Sequence, residues 1–171
     1  LHTTGQGFAT SCLPRQTAPV RVESTIRLKD QIDTMTHPTI ETLLNVVAKG
    51  DDKAIAALLA EDVQFLPPTY WKTWTGRAPV AAILGHVGQI FTEFRYRRIM
   101  GDGADWALEF QCKVGELDAV GVDLITLDDT GLITQFEAVM RPYETVGALR
   151  DAIMAQVMQD PRFIGFQSAL S

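Results

Sequence analysis

The order of hydrophobic periods along the chain predicts an α+β domain, with helices first and a run of strands after them. Apolar residues recur at helical spacing from Thr39 to Phe91, interrupted by one short strand-like stretch. Four alternating or continuously apolar segments follow between Phe94 and Arg141. They are separated by short turns rich in Gly and Asp, the spacing that joins antiparallel neighbours in a meander. A last helical pattern closes the domain.

Each element has a local reason. Ile40, Leu43, Leu44 and Val47 form one helical stripe, and Gly50 stands where a helix ends in a left-handed cap. Asp51 or Asp52 caps a second helix carrying Ile55, Leu58 and Leu59. Val63–Leu66 reads as a strand stopped by Pro67-Pro68, because proline cannot donate to a ladder. An aromatic loop with Tyr70, Trp71 and Trp74 leads to a third helix, Gly76–Phe91, which Gly85 and Gly88 weaken. The strands are expected near Phe94–Met100, Trp106–Val114, Leu117–Asp128 and Leu132–Arg141, and the closing helix at Tyr143–Gln159, stopped by Pro161. Residues 1–34 differ from the rest, being rich in Thr, Ser, Gln, Gly and Pro without a sustained period. They are expected to be an arm or extension; the alternative is an ordered arm packing on a partner subunit, with 24–34 as a short helix. The compact domain is then residues 35–160, followed by a tail at 161–171.

Bulk properties exclude several functions. At 171 residues the chain has the size of one domain with one real core. Its net charge is −6, and residues 1–34 hold four basic and three acidic groups, so the remainder is more acidic still. An acidic domain repels phosphate backbones, so no nucleic-acid partner is expected. Arg95, Arg97 and Arg98 form one basic cluster, which reads as the solvated rim of a strand. No apolar run approaches the roughly 20 residues of a membrane helix, and no signal-peptide layout is present, so a cytoplasmic location without membrane association is expected. Cys12 and Cys112 make no disulfide framework. His2, His37 and His86 fit no metal motif, and neither metal nor cofactor is expected.

Strand parity singles out one acid. Trp106, Leu108, Phe110, Cys112 and Val114 share a face, with Glu109 on the other. In the next strand Ala119, Gly121, Asp123, Ile125 and Leu127 share a face, and Val120, Val122, Leu124 and Thr126 make the reverse nearly as apolar. A strand apolar on both sides is covered on both sides, which predicts a homodimer through the sheet. Asp123 stands on the inward apolar face, where desolvation raises a carboxyl pKa and favours the neutral acid. A neutral carboxyl can donate a hydrogen bond to a carbonyl or enolate. The bland alternative has it bonding to backbone amides, to an arginine such as Arg98, or to buried water.

From Thr39 to about Gln159 the order of elements resembles the nuclear transport factor 2-like (cystatin-like) fold. The segments "AKGDDKAIAALLAEDVQF" and "VDLITLDDTGLI" carry the resemblance. It implies a cone-like curved antiparallel sheet wrapped by three N-terminal helices and a C-terminal helix, the fold of SnoaL-like domains, ketosteroid isomerases and limonene epoxide hydrolases. Matched position by position, the neutral aspartic acid of ketosteroid isomerase falls on Asp123, its base on Pro67 and its tyrosine on Leu43. Proline cannot abstract a proton. The Asp-Arg-Asp set of the epoxide hydrolases falls on Phe110, Cys112 and near Ala138, with none retained. Tyr70, Trp71 and Trp74 occupy the loop that rims the cone mouth in this fold. Phe110, Phe136 and Met140 are expected to line the cavity or fill it, beside Cys112, a small core residue with no base paired to it. His86, near Ile83, Val87 and Ile90, is the candidate for a base reaching the cavity, against a satisfied or solvent-facing helix histidine.

Three readings follow. The first is a domain binding a small apolar molecule with Asp123 as its polar anchor. The second is a cofactor-free isomerase, cyclase or dehydratase in which Asp123 donates and His86 or water moves the proton. The third is a dimeric interaction module with a filled cone. General acid/base work usually needs a matched pair of groups, and only one strong member is visible, which favours binding.

Overall fold

The computed structural model describes residues 36–168. The arm expected at 1–34, with its short helix and Cys12, lies outside the described residues, as do residues 169–171.

Helix α1 (Pro38–Val46) begins on a proline in its first turn, and the His37 ring nitrogen accepts from the Thr39 amide at 3.2 Å. A 3₁₀ turn, Val47–Lys49, ends at Gly50 with φ 62°, the left-handed cap the sequence required. Asp51 caps α2 (Asp52–Ala56), accepting from the Ala54 amide at 3.0 Å. This helix is shorter than expected. Leu59 already belongs to β1 (Leu59–Leu66), where it pairs with Ile133, so ladder pairing overrides the helical spacing of Leu58 and Leu59.

A two-residue strand β2 (Trp74–Thr75) precedes α3 (Arg77–Ile90). The glycines that weaken α3 as a helix explain its packing. A methyl group on Gly88 would stand 2.5 Å from the Val47 carbonyl oxygen and 2.7 Å from the Gly50 Cα. The bare helix surface there lets the first helical hairpin lie directly on α3.

Strands β3 (Phe91–Asp102), β4 (Asp105–Val114), β5 (Leu117–Leu127) and β6 (Ile133–Arg141) form the expected antiparallel meander. The full sheet has the order β2-β1-β6-β5-β4-β3 and does not close. It is mixed rather than wholly antiparallel, because β1 runs parallel to β6. Strands so distant in sequence meet through a long crossover, which does not impose a hairpin. Register shifts in β3, between Thr92 and Arg95 and again between Tyr96 and Arg98, bend the edge of the sheet.

Helices and the inner sheet face enclose one main core that includes Ile40, Leu43, Ile55, Ile83, Leu108, Ile125 and Phe136. Helix α4 (Tyr143–Val157) adds Leu149 and Ile153 to it. Beyond Pro161 the chain, expected to be a tail, forms a further helix, α5 (Arg162–Ser168). Phe163 on that helix is only 2% exposed, and Arg162 bridges Asp52 at 2.7 Å and Asp160 at 2.6 Å. A buried aromatic and a two-acid clamp hold the segment to the domain. Among the described residues no helix is long and apolar enough to cross a membrane.

Candidate functional site

Asp123 lies in the middle of β5, opposite Leu108 of β4 and Ala138 of β6. Its side chain points inward as parity requires, and the residue is 5% exposed. It lines an apolar cavity of about 40 Å³. The sheet supplies Phe65, Phe110, Phe136, Ala138 and Met140; the helices supply Ile83, Leu84, Val87, Leu149 and Ile153. The segment Pro67–Tyr70 forms its rim.

Asp123 does not bond to Arg98. The Tyr96 hydroxyl donates to Asp123 Oδ2 at 3.2 Å, from the bent strand β3. Arg98 lies on the opposite sheet face and grips Glu109 with two hydrogen bonds, of 2.5 and 2.8 Å, leaving Glu109 6% exposed. Burial pushes the Asp123 carboxyl up to about 7, and the Tyr96 hydrogen bond pulls it partly back. Tyr96 is itself raised well above the ordinary phenol value, by burial first and by the neighbouring carboxylate second. Near neutral pH Asp123 therefore populates a form that can donate and a form that only accepts. Replacing Tyr96 with Phe removes a bond that favours the ionised carboxylate, so the Asp123 pKa should rise. Carbonyl NMR titration of Tyr96→Phe checks this; an unchanged or lower value counts against the pairing.

Gly121 shapes the cavity wall. A Cβ there would lie 2.2 Å from Phe110 Cζ and 2.7 Å from the Val139 carbonyl oxygen. The Phe110 ring thus rests on bare backbone of β5, stacked 5.5 Å from Phe94.

Several sequence expectations move. His86 does not line the cavity. Ile83, Leu84 and Val87 face it, and His86 sits roughly a quarter-turn around α3 from that stripe. Its Nε2 lies 3.0 Å from Asp160 Oδ2, and its ring packs on Phe163 at 5.7 Å. Arg162 foremost, with its own amide and His86, holds the Asp160 carboxyl well below the usual range. His86 is thus part of the clasp around α5, with no route to Asp123. Trp71 is 98% exposed and forms no part of the wall. Trp74 turns inward instead, but it meets Phe163 edge-on at 5.7 Å and its indole N–H donates to the Tyr70 hydroxyl. Tyr70 alone of the three rim aromatics lines the cavity. Cys112 does not line the cavity; it packs behind Phe110, with Ala119, in a satellite cluster. Burial and the nearby Asp123 push its thiol up to about 12, so it stays protonated and unreactive.

Sequence reasoning missed Tyr96, because two bulges break strand parity. The inward set Phe91, Phe94, Tyr96 and Ile99 has spacings of three, two and three, and that pattern is the signal of the bulges. It also missed Thr69, in the rim beside the two prolines. Among the described residues no group of three or more His, Cys, Asp or Glu side chains is placed to hold a metal ion.

The position of a lone buried carboxyl on the inner face of a curved sheet invites comparison with known proteins. The model of the SnoaL-like domain matches residues 40–136. The chain belongs to the SnoaL-like domain family. An uncharacterized bacterial protein with a cystatin-like fold from Silicibacter pomeroyi DSS-3 shares 73% identity with this SnoaL-like domain protein, covering 78% of this chain and 95% of its own (TM-score 0.77). A steroid delta-isomerase from Pseudomonas aeruginosa shares 28% identity over 84% of this chain and 97% of its own (TM-score 0.64). A putative ketosteroid isomerase from Kribbella flavida DSM 17836, at 23% identity, covers 61% of this chain and 76% of its own, with a TM-score of 0.52. No curated protein matches this SnoaL-like chain. It is an NTF2-like domain related to ketosteroid isomerases, with Pro67 in the cavity rim where the resemblance places their base.

Proposed function

We propose that this SnoaL-like domain binds a small apolar molecule that carries an oxygen, with Asp123 as the polar anchor. The observation that carries the reading is a buried carboxyl, the one carboxyl on the wall of a largely apolar cavity among the described residues, hydrogen-bonded by Tyr96. With His86 tied to Asp160 and the Tyr96 phenol held well above its ordinary value by burial, no group among the described residues stands beside Asp123 as a ready base at neutral pH, and general acid/base catalysis usually needs a matched pair. The enclosed space is small, so a guest of more than a few non-hydrogen atoms requires the 67–75 segment to move.

Calorimetry with a graded set of cyclic ketones tests this on the wild type, Asp123→Asn and Asp123→Leu. Asparagine keeps a donor and should hold affinity within a few-fold. Leucine removes both donor and acceptor and should weaken binding about tenfold or more. Equal binding by the leucine variant rejects Asp123 as the anchor.

A second reading, a cofactor-free isomerase, cyclase or dehydratase, draws on the 28% identity to a steroid delta-isomerase and on a carboxyl at about 7. It lacks a base at the position where the resemblance places one, since Pro67 stands there, and would have to work with Asp123 and Tyr96. Turnover of a Δ5-3-ketosteroid that disappears in Asp123→Asn would move the conclusion to this reading.

We further propose that a second copy covers the outer sheet face. Val139, Leu124 and Met100 are exposed there, Val139 by 54%, around the Arg98–Glu109 pair. Light scattering should read twice the 18.9 kDa chain mass, and Leu124→Glu with Val139→Glu should halve it. A wild-type monomer removes this proposal.

A further inference from the structure

We infer that Thr69 is a second ligand-contacting group, so that the pocket selects compact apolar molecules bearing an oxygen at each end. The inference rests on the binding reading above and adds the number and placement of polar groups on the guest.

Thr69 lines the same cavity as Asp123, and its hydroxyl is closed off from solvent without a hydrogen-bond partner. Buried hydroxyls are normally satisfied, so an unpaired one on a cavity wall is a group awaiting a partner. Local structure cannot easily supply that partner. Pro67 and Pro68, just before it, have no N–H to offer. The neighbouring Tyr70 hydroxyl turns to Trp74, accepting from its indole N–H.

Register brings the chain that leads to Thr69 close to the strand that carries Asp123. Asp123 lies opposite Ala138 on β5 and β6, and Leu66 lies opposite Glu137 on β1 and β6. The chain just past Leu66 therefore passes two strand spacings, about 10 Å, from the Asp123 backbone. Thr69 stands at the rim and Asp123 on the sheet, with Phe65, Phe136 and Ala138 among the apolar residues of the same wall. One guest reaching both needs hydrogen-bonding atoms at its two ends and a flat apolar body between them. A hydroxyl donates and accepts, as does a neutral carboxyl, so a ketone or hydroxyl suits either end.

The test uses 4-hydroxyacetophenone and the longer 6-hydroxy-2-acetylnaphthalene as two-ended probes, against acetophenone and 2-acetylnaphthalene as one-ended ones. Calorimetry on the wild type should favour the better-fitting two-ended probe over its partner by about tenfold. Thr69→Val, which keeps the shape and removes the hydroxyl, should erase that preference by bringing two-ended binding down to the one-ended level; Thr69→Ser should restore it. The melting temperature of Thr69→Val should not fall, because no internal bond is lost, and a fall would mark a structural role and overturn the inference. Equal binding of both probe types, unaffected by Thr69→Val but weakened in Asp123→Leu, overturns the inference and leaves the Asp123 anchor standing. Failure of every probe to bind the wild type rejects the pocket reading, and this inference with it.

Discussion

Between about pH 4 and pH 7 the domain should lose stability as the pH rises, and Asp123→Asn should abolish most of that loss. The folded-state pKa of Asp123 is raised from 3.8 to about 7, so the folded chain holds a proton that the unfolded chain gives up. The stabilisation is complete below the unfolded value and falls away as pH climbs through the folded one. Over that window the difference amounts to roughly 4 kcal/mol, or a melting-temperature change on the order of 10 °C for a domain of this size. Asparagine is the neutral isostere and can still accept from Tyr96, so the variant should melt above the wild type at pH 8. Asp160, Asp128 and Glu109 have lowered values and act in the opposite sense, losing their contribution only as pH falls below the ordinary carboxylate range. Their effect belongs to the acid limb and leaves the window near neutrality to Asp123. Thermal melts from pH 4.5 to 8 decide it. Parallel wild-type and Asp123→Asn curves would mean that the carboxyl is ionised in the folded state.

Phe163→Ala should cost about 3–5 kcal/mol, the usual toll of emptying a buried aromatic site. Its ring packs against Trp74 at 5.7 Å, His86 at 5.7 Å and Phe166 at 5.3 Å, tying α5 to the rim loop and to α3. Without it Trp74 loses its inner wall, and the Trp74–Tyr70 hydrogen bond loses its support. Denaturant unfolding should show the loss, and tryptophan emission should shift to the red as Trp74 meets water. A change below about 1 kcal/mol with unaltered emission would reduce α5 to a peripheral segment.

Much of the fold was legible because its punctuation is local. Asp51, Gly50 and the Gly-Asp turns each act on their immediate neighbours, and the structure uses them as read. The inward direction of Asp123 was legible because β5 keeps strict alternation throughout its length. Where the reading failed, something non-local or irregular decided. The parallel pairing of β1 with β6 depends on a crossover, and Leu59 joins a strand only because Ile133 awaits it. Two bulges turned Tyr96 inward and Arg98 outward. The choice of Trp74 over Trp71 was set by Phe163, which arrives about ninety residues later in the chain. His86 was drawn away by Asp160 from the same distant segment. Phe163 and Phe166, three apart just after Pro161, were a helical signal that could have been taken up.

The absent side chain at position 121 makes the interior adjustable from one direction only. Phe110 lies over that bare patch like a shutter folded flat against its frame. Any growth at 121 would swing the shutter inward and shrink the chamber, whereas trimming Phe110 itself would deepen it without disturbing a strand. Re-tailoring this protein for a bulkier guest therefore begins at 110, with 121 left alone.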